Sequence, residues 1–189
     1  MGKAANSSIS LKQIHVTDNF WNKYVHLVKD VIIPYQWDIL NDKLEDVETS
    51  HCIENFKIAA GEKEGEFQGA VFQDTDVAKW LEAVGFVLNY ERDEKLEELA
   101  DETIELIGRA QQPDGYLNTY FTIKEPDGRW SNLMEGHELY TAGHMIEAAV
   151  AYYEATGKRR FLEIVSKFAD LVCQTFGSEE GKIHGYPGH

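Results

Sequence analysis

The sequence predicts an all-α fold of repeated αα-hairpins, which favours the N-terminal half of a closed (α/α)6 toroid over an open solenoid. Three observations carry that prediction. Apolar residues recur at helical spacing almost throughout. Two consecutive hairpins align at an offset of 65 residues, pairing Glu82-Ala83 with Glu147-Ala148, Leu81 with Ile146, Leu96 with Phe161 and Ile107 with Val172. The connections are long and aromatic, as suits loops that leave one end of a helical ring and build a pocket.

In chain order, Asp18 is placed to cap a helix through Phe20, Trp21, Tyr24, Leu27 and Val31, which Pro34 ends. Trp37, Ile39, Leu40 and Leu44 form a shorter apolar stretch. Ser50 is positioned to cap a segment through Ile53, Phe56 and Ala59 that closes at Gly61, and the charged, glycine-rich residues 61–69 read as a loop. Asp74 caps a helix with Val77, Trp80, Leu81, Val84 and Leu88 on one stripe. After a break at Arg92-Asp93, Leu96, Leu99, Ala100, Ile104 and Ile107 form its partner. Gln112 to Glu135 interrupts the helices, and a second pair follows: His137 to Ala155, ending at Gly157, and Lys158 to Thr175, ending at Gly177. Gly-Tyr turns, at Gly115-Tyr116 and Gly185-Tyr186, follow each hairpin.

The 189 residues carry 33 acidic against 18 basic side chains, a net charge of −15, with 43% apolar residues, as in an ordinary packed domain. No basic patch offsets phosphate charge, so no nucleic-acid partner is expected. No apolar run approaches the ~20 residues that span a bilayer, so no membrane partner is expected either. Cys52 and Cys173 lie far apart in apolar helical surroundings and read as buried thiols of a cytoplasmic protein. Residues 1–13 form a polar segment and 14–189 the partial toroid: six hairpins at this spacing need about 390 residues, and the chain stops inside a loop at Tyr186-Pro187-Gly188-His189. The expectation is therefore the N-terminal part of a larger domain.

Few residues suggest chemistry. In Gly136-His137-Glu138-Leu139-Tyr140-Thr141-Ala142-Gly143-His144, the histidines are seven apart, roughly 10 Å along a helix, so one ion cannot take both. His137 stands at a helix start beside the aromatic loop, where it either faces a pocket or serves as a loop or capping residue. His144, with Glu147 at i+3, reads as a buried, hydrogen-bonded histidine. Phe72-Gln73-Asp74-Thr75-Asp76 occupies the corresponding place before the earlier hairpin. Capping and first-turn charge account for its carboxylates, with Gln73 and Asp74 also candidates for the pocket. Tyr116, Tyr120, Phe121 and Trp130 either offer faces to a sugar ring or pin the long loop. His184, Tyr186 and His189 form a small cluster after the second hairpin. No nucleophile elbow, phosphate-binding loop, dinucleotide fingerprint or zinc spacing occurs.

Ile33-Pro34-Tyr35-Gln36-Trp37, the run Val71-Phe72-Gln73-Asp74-Thr75-Asp76-Val77-Ala78-Lys79-Trp80-Leu81-Glu82, Ala110-Gln111-Gln112-Pro113-Asp114-Gly115-Tyr116-Leu117, Gly136-His137-Glu138-Leu139-Tyr140, Gly143-His144 and Gly181-Lys182-Ile183-His184-Gly185 resemble the N-terminal half of the β-L-arabinofuranosidases of glycoside hydrolase family 127. The resemblance runs from about residue 14 to the end. It implies a six-hairpin toroid, followed by β-domains in complete members, that removes terminal β-L-arabinofuranose with retention of configuration. It also implies a cysteine nucleophile at a zinc site with further cysteines and a glutamate, and a second glutamate as acid/base. Those residues belong to the second half of the toroid, and nothing in this sequence matches them. No catalytic or metal residue is therefore expected here, and zinc only in the complete domain. His137 matches the histidine of the family's His-Glu-(Leu/Met)-Tyr motif, and His189 resembles that of its Gly-His motif. The expected substrate-binding set is His137, His189, Gln73 and Asp74, the expected ligand an L-arabinofuranoside-type sugar, and the chain alone is expected to be inactive. The alternative is a non-catalytic α-hairpin module that binds a carbohydrate or a protein, with self-association through an apolar edge left open where a fourth hairpin would dock.

Overall fold

A computed structural model describes residues 9–184, and among them the fold is helical with no strand beyond one isolated bridge between Phe176 and Ile183. The helices are α1 (Asn19–Leu27), α2 (Ile33–Leu40), α3 (Cys52–Ala59), α4 (Asp74–Tyr90), α5 (Glu94–Ala110), α6 (Thr119–Ile123), α7 (Leu133–Gly136), α8 (Glu138–Thr156) and α9 (Arg160–Thr175).

Asp18 caps α1 as its side chain predicts, accepting from the Phe20 and Trp21 amides at 3.0 and 2.8 Å. Pro34 does not end the rod. A π turn, Val28–Ile32, joins α1 directly to α2, and its wider spacing, with Ile33 N–H donating to Val28 O, lets the proline enter at the first turn of α2. The apolar stripe of α1 is also not core: Phe20 and Trp21 are about 60% exposed, and Tyr24, Leu27 and Val31 stand out with them. The far end of the rod is anchored by Ile33 and Leu40 in the core, by the indole N–H of Trp80 donating to Ile33 O, and by Trp37 packed on the Trp80 ring; nearer its start, Lys29 pairs with Glu91 at 2.9 Å and the Tyr90 hydroxyl donates to Asn22 Oδ1 at 3.4 Å. Ser50 is not the cap of α3. His51 precedes that helix at φ 57°, and the Asp42 carboxylate takes the Ser50 and His51 amides from eight and nine residues away.

The predicted hairpins are present as α4–α5 and α8–α9. Asp93 caps α5 through the Lys95 and Leu96 amides. Helices α4 and α8 run parallel in the register that the 65-residue offset predicts: Phe72 meets His137 at their starts and Glu82 lies near Glu147, while Gly85 abuts Ala151, one residue past its equivalent. A Cβ on Gly85 would lie 2.8 Å from the Ala151 carbonyl carbon and 2.9 Å from the Tyr152 nitrogen, so only glycine permits this backbone approach. The outer helices α5 and α9 bury one stripe each and are tied by Arg160, whose guanidinium donates twice to Glu105 at 2.8 and 3.0 Å. Tyr152 on α8 reaches Asp101 of α5 at 2.7 Å. Repeat thus packs on repeat, inner helix to inner and outer to outer, which is the curvature of a ring.

The interruption from Gln112 to Glu135 is not unstructured: it holds α6, a short 3-10 turn at Pro126–Gly128, and α7. Asn118 and Asn132 cap the two helices. Cys52 is buried as expected, but Cys173 lies on the outer side of α9 and is exposed; both thiols are free. No helix among the described residues is long and apolar enough to cross a membrane.

Candidate functional site

The parallel inner helices bring their N-termini to the same end of the fold, together with the loop before α4 and the Gln112–Glu135 segment. Sequence-predicted residues meet there. The Phe72 ring lies edge-on to His137 at 5.2 Å, and His137 tilts against Tyr140 at 5.8 Å. His137 sits between α7 and α8 at φ 50°, left-handed for a non-glycine residue, and gives no side-chain cap to α8. Its side chain does not cap α8, and the half-buried ring stands at the rim between Phe72 and Tyr140.

Gln73 is also at the rim. Its amide nitrogen donates to Asp76 Oδ2 at 2.9 Å and its amide oxygen accepts from Ala70 N–H at 3.2 Å. Burial pushes the Asp76 carboxyl up, opposed by Lys79. Lys79 donates to Thr75 Oγ1 at 3.3 Å and lies over the Tyr140 ring at 5.3 Å. A cleft of about 410 Å³ opens beside Asp76, Lys79, Gln36 and Ser50.

Asp74 departs from both roles given to it by its sequence. It is the first residue of α4 rather than its cap, it is 2% exposed, and both its oxygens are spent on Thr119: 2.7 Å to the amide and 2.5 Å to the hydroxyl. Burial raises its carboxyl to about 6 against the two Thr119 hydrogen bonds. It is a strut that fastens α6 to the start of α4, not a surface that a ligand could touch.

Glu138, which sequence reasoning passed over, does the same for the second hairpin. Fully buried, it accepts from the Tyr116 hydroxyl and from Trp130 N–H at 2.7 Å. Burial raises its carboxyl, opposed by those bonds and by Arg129. Arg129 lies 3.9 Å over the Tyr116 ring and pairs with Asp114 at 3.1 Å. The choice between sugar platform and loop pin is settled for Tyr116: it is completely buried between Trp130 and Phe168. Trp130 leans on Phe176 as well. These aromatics pin the loop. The one available signal for Glu138 was its place beside His137; its buried partners lie 8 and 22 residues away, invisible to periodicity.

His144 is half-buried with Tyr140 edge-on at 4.5 Å, and its Nδ1 lies 3.6 Å from Glu147 Oε2, too long for the hydrogen bond that its sequence suggested. His189, with Tyr186, lies outside the described residues. The two cysteines do not fit a zinc–thiolate centre: Cys52 Sγ donates to Gln73 O at 3.2 Å in the core, where burial pushes its thiol well up, and Cys173 is on another helix.

Paired hairpins stacked inner helix to inner helix, with a polar and aromatic rim at one end, are a segment of an α/α toroid. The profile of the family described as "Beta-L-arabinofuranosidase, GH127 catalytic domain" matches residues 13–189, and the chain belongs to that family. It is 43% identical over 192 residues to the non-reducing end β-L-arabinofuranosidase of Bifidobacterium longum subsp. longum, covering 93% of this chain and 29% of that protein. Its structure is similar to that of Ara127N-Se, a GH127 β-L-arabinofuranosidase from Geobacillus stearothermophilus T6, with TM-score 0.91 and 63% identity over 93% of this chain and 28% of that one. The GH127 β-arabinofuranosidase BT3674 superposes with TM-score 0.86 at 36% identity, covering 96% of this chain and 29% of that one. The chain spans less than a third of the relatives it matches, and it forms the N-terminal part of their (α/α)6 toroid.

Proposed function

We propose that this chain supplies one wall of the sugar pocket of a retaining β-L-arabinofuranosidase and does not catalyse hydrolysis by itself. The observation that carries the reading is the convergence of Phe72, Gln73 and His137 at one end of two parallel helices, with His137 held in a strained left-handed conformation. An imidazole donates to or accepts from a ring hydroxyl, and an exposed phenyl edge suits the C–H face of a furanose. His189 is a further candidate by its motif alone, and Asp74 and Glu138 hold the wall's shape. In a complete family domain, zinc would be held by cysteines and a glutamate outside these residues and would favour the thiolate form of the nucleophile. None of the residues here takes a catalytic part. The free cysteines accord with a reducing, cytoplasmic setting.

Incubation of the chain with zinc and an aryl β-L-arabinofuranoside tests the claim: release of the aryl group stays at the buffer rate, and turnover above it contradicts the dependence on residues elsewhere. A second reading, a module that docks a protein or a second copy of itself, draws on the exposed apolar face of α1. Trp21, Tyr24, Val28 and Phe86 line a cleft of about 480 Å³ there. Sedimentation at rising concentration distinguishes the two. Association that Trp21→Asp abolishes favours docking, and a monomer throughout removes self-association from the account.

A further inference from the structure

Away from the rim, the two inner helices bring together three metal-ligating side chains that neither the fold nor the sugar wall requires. Donor atoms of Glu82 on α4 and of His144 and Glu147 on α8 all lie within 4.8 Å of one another. The arrangement follows from the repeat: Glu82 and Glu147 are equivalent at the 65-residue offset, and parallel packing in that register sets equivalent positions side by side. At the next equivalent pair the repeat breaks its own pattern, with Lys79 in the first hairpin and His144 in the second.

Two features point to a ligand. His144 Nδ1 is shielded from solvent and has no hydrogen-bond partner, while its ring is braced by Tyr140 at 4.5 Å. A buried ring nitrogen left in that state costs free energy that a bound group would recover. The two carboxylates also stand close together, and Lys79, the basic residue of α4, is committed to Thr75 and the Tyr140 ring rather than to them.

We propose that Glu82, His144 and Glu147 bind a divalent transition-metal ion, riveting the first hairpin to the second. One imidazole and two carboxylates give three nitrogen and oxygen ligands with room for water in the remaining positions, a set that suits Zn²⁺ or Co²⁺ and contains no cysteine. Small side-chain rotations bring the three donors to bonding distance, because Glu147 is two-thirds exposed and mobile about its long stem.

Isothermal titration of the chelator-treated 189-residue chain with Zn²⁺ tests the site. One equivalent binds, and Glu147→Gln and His144→Gln each weaken it by more than about tenfold, the least expected for loss of a direct ligand. Zn²⁺ also raises the melting temperature of the wild type but not of Glu147→Gln, whose fold the exposed position leaves intact. Absence of a stoichiometric site overturns the proposal, as does equal affinity in both variants, which would assign the ion to other histidines. X-ray absorption of the zinc-loaded wild type decides the matter without variants: an oxygen and nitrogen shell with one imidazole supports the site, and a sulfur scatterer contradicts it.

Discussion

The charge of Asp74 is held in the core at a cost in stability, because water is removed from it faster than two Thr119 hydrogen bonds compensate. Its folded value of about 6 lies above the ordinary 3.8, so between those values the folded state keeps a proton that the unfolded state has lost. Stability from this group is therefore greatest at acid pH and falls as pH rises toward 6, by roughly 3 kcal/mol at about 1.4 kcal/mol per unit. Urea unfolding from pH 4 to 7 should show a downward slope that Asp74→Asn flattens; identical slopes in both proteins refute the assignment. Tyr116→Phe makes the converse test. It leaves one oxygen of the buried Glu138 without its donor and should cost about 1–3 kcal/mol by the same measurement, whereas a neutral result would mean that the clamp is not needed.

At the scale of elements, the decisive contact is backbone against backbone between α4 and α8. Gly85→Ala improves intrinsic helix propensity by about 1 kcal/mol but drives a methyl into the Ala151 carbonyl, so net destabilisation of about 1–3 kcal/mol is expected in thermal melts. A stabilised variant would mean that the two helices stand further apart than described. The hairpins themselves were legible, since the positions that bury Val77, Trp80, Leu81 and Val84 recur with helical period and their equivalents follow 65 residues later. What escaped was set by features outside the local helical pattern. Ser50, Asp74 and Pro34 each carry a strong local signal, and each was overruled: by Asp42 from eight residues away, by Thr119 from 45, and by a π turn that local rules do not anticipate. The candidate site was half legible for the same reason. His137, Phe72 and Gln73 lie next to recognisable helix starts, but the buried carboxylate of Glu138 acquires its partners only when the Gln112–Glu135 segment folds over it.

For the whole molecule, the 65-residue repeat explains both what is built and what is left open. Successive inner helices pack in parallel, so their loops gather at one end, where a furanose is expected to be held. The α1 face, with Phe20 and Trp21 exposed, marks a boundary at which the described residues end their own core. A wall of a pocket binds its ligand weakly but in a defined place. The most direct measurement is a nitrogen-15 correlation titration of the chain with methyl β-L-arabinofuranoside. Saturable shifts are predicted at Phe72, Gln73, His137 and Tyr140, lost in His137→Ala while its remaining resonances keep the dispersion of the folded chain. No saturable shift, or shifts confined to the cleft between α1 and α4, would contradict the account.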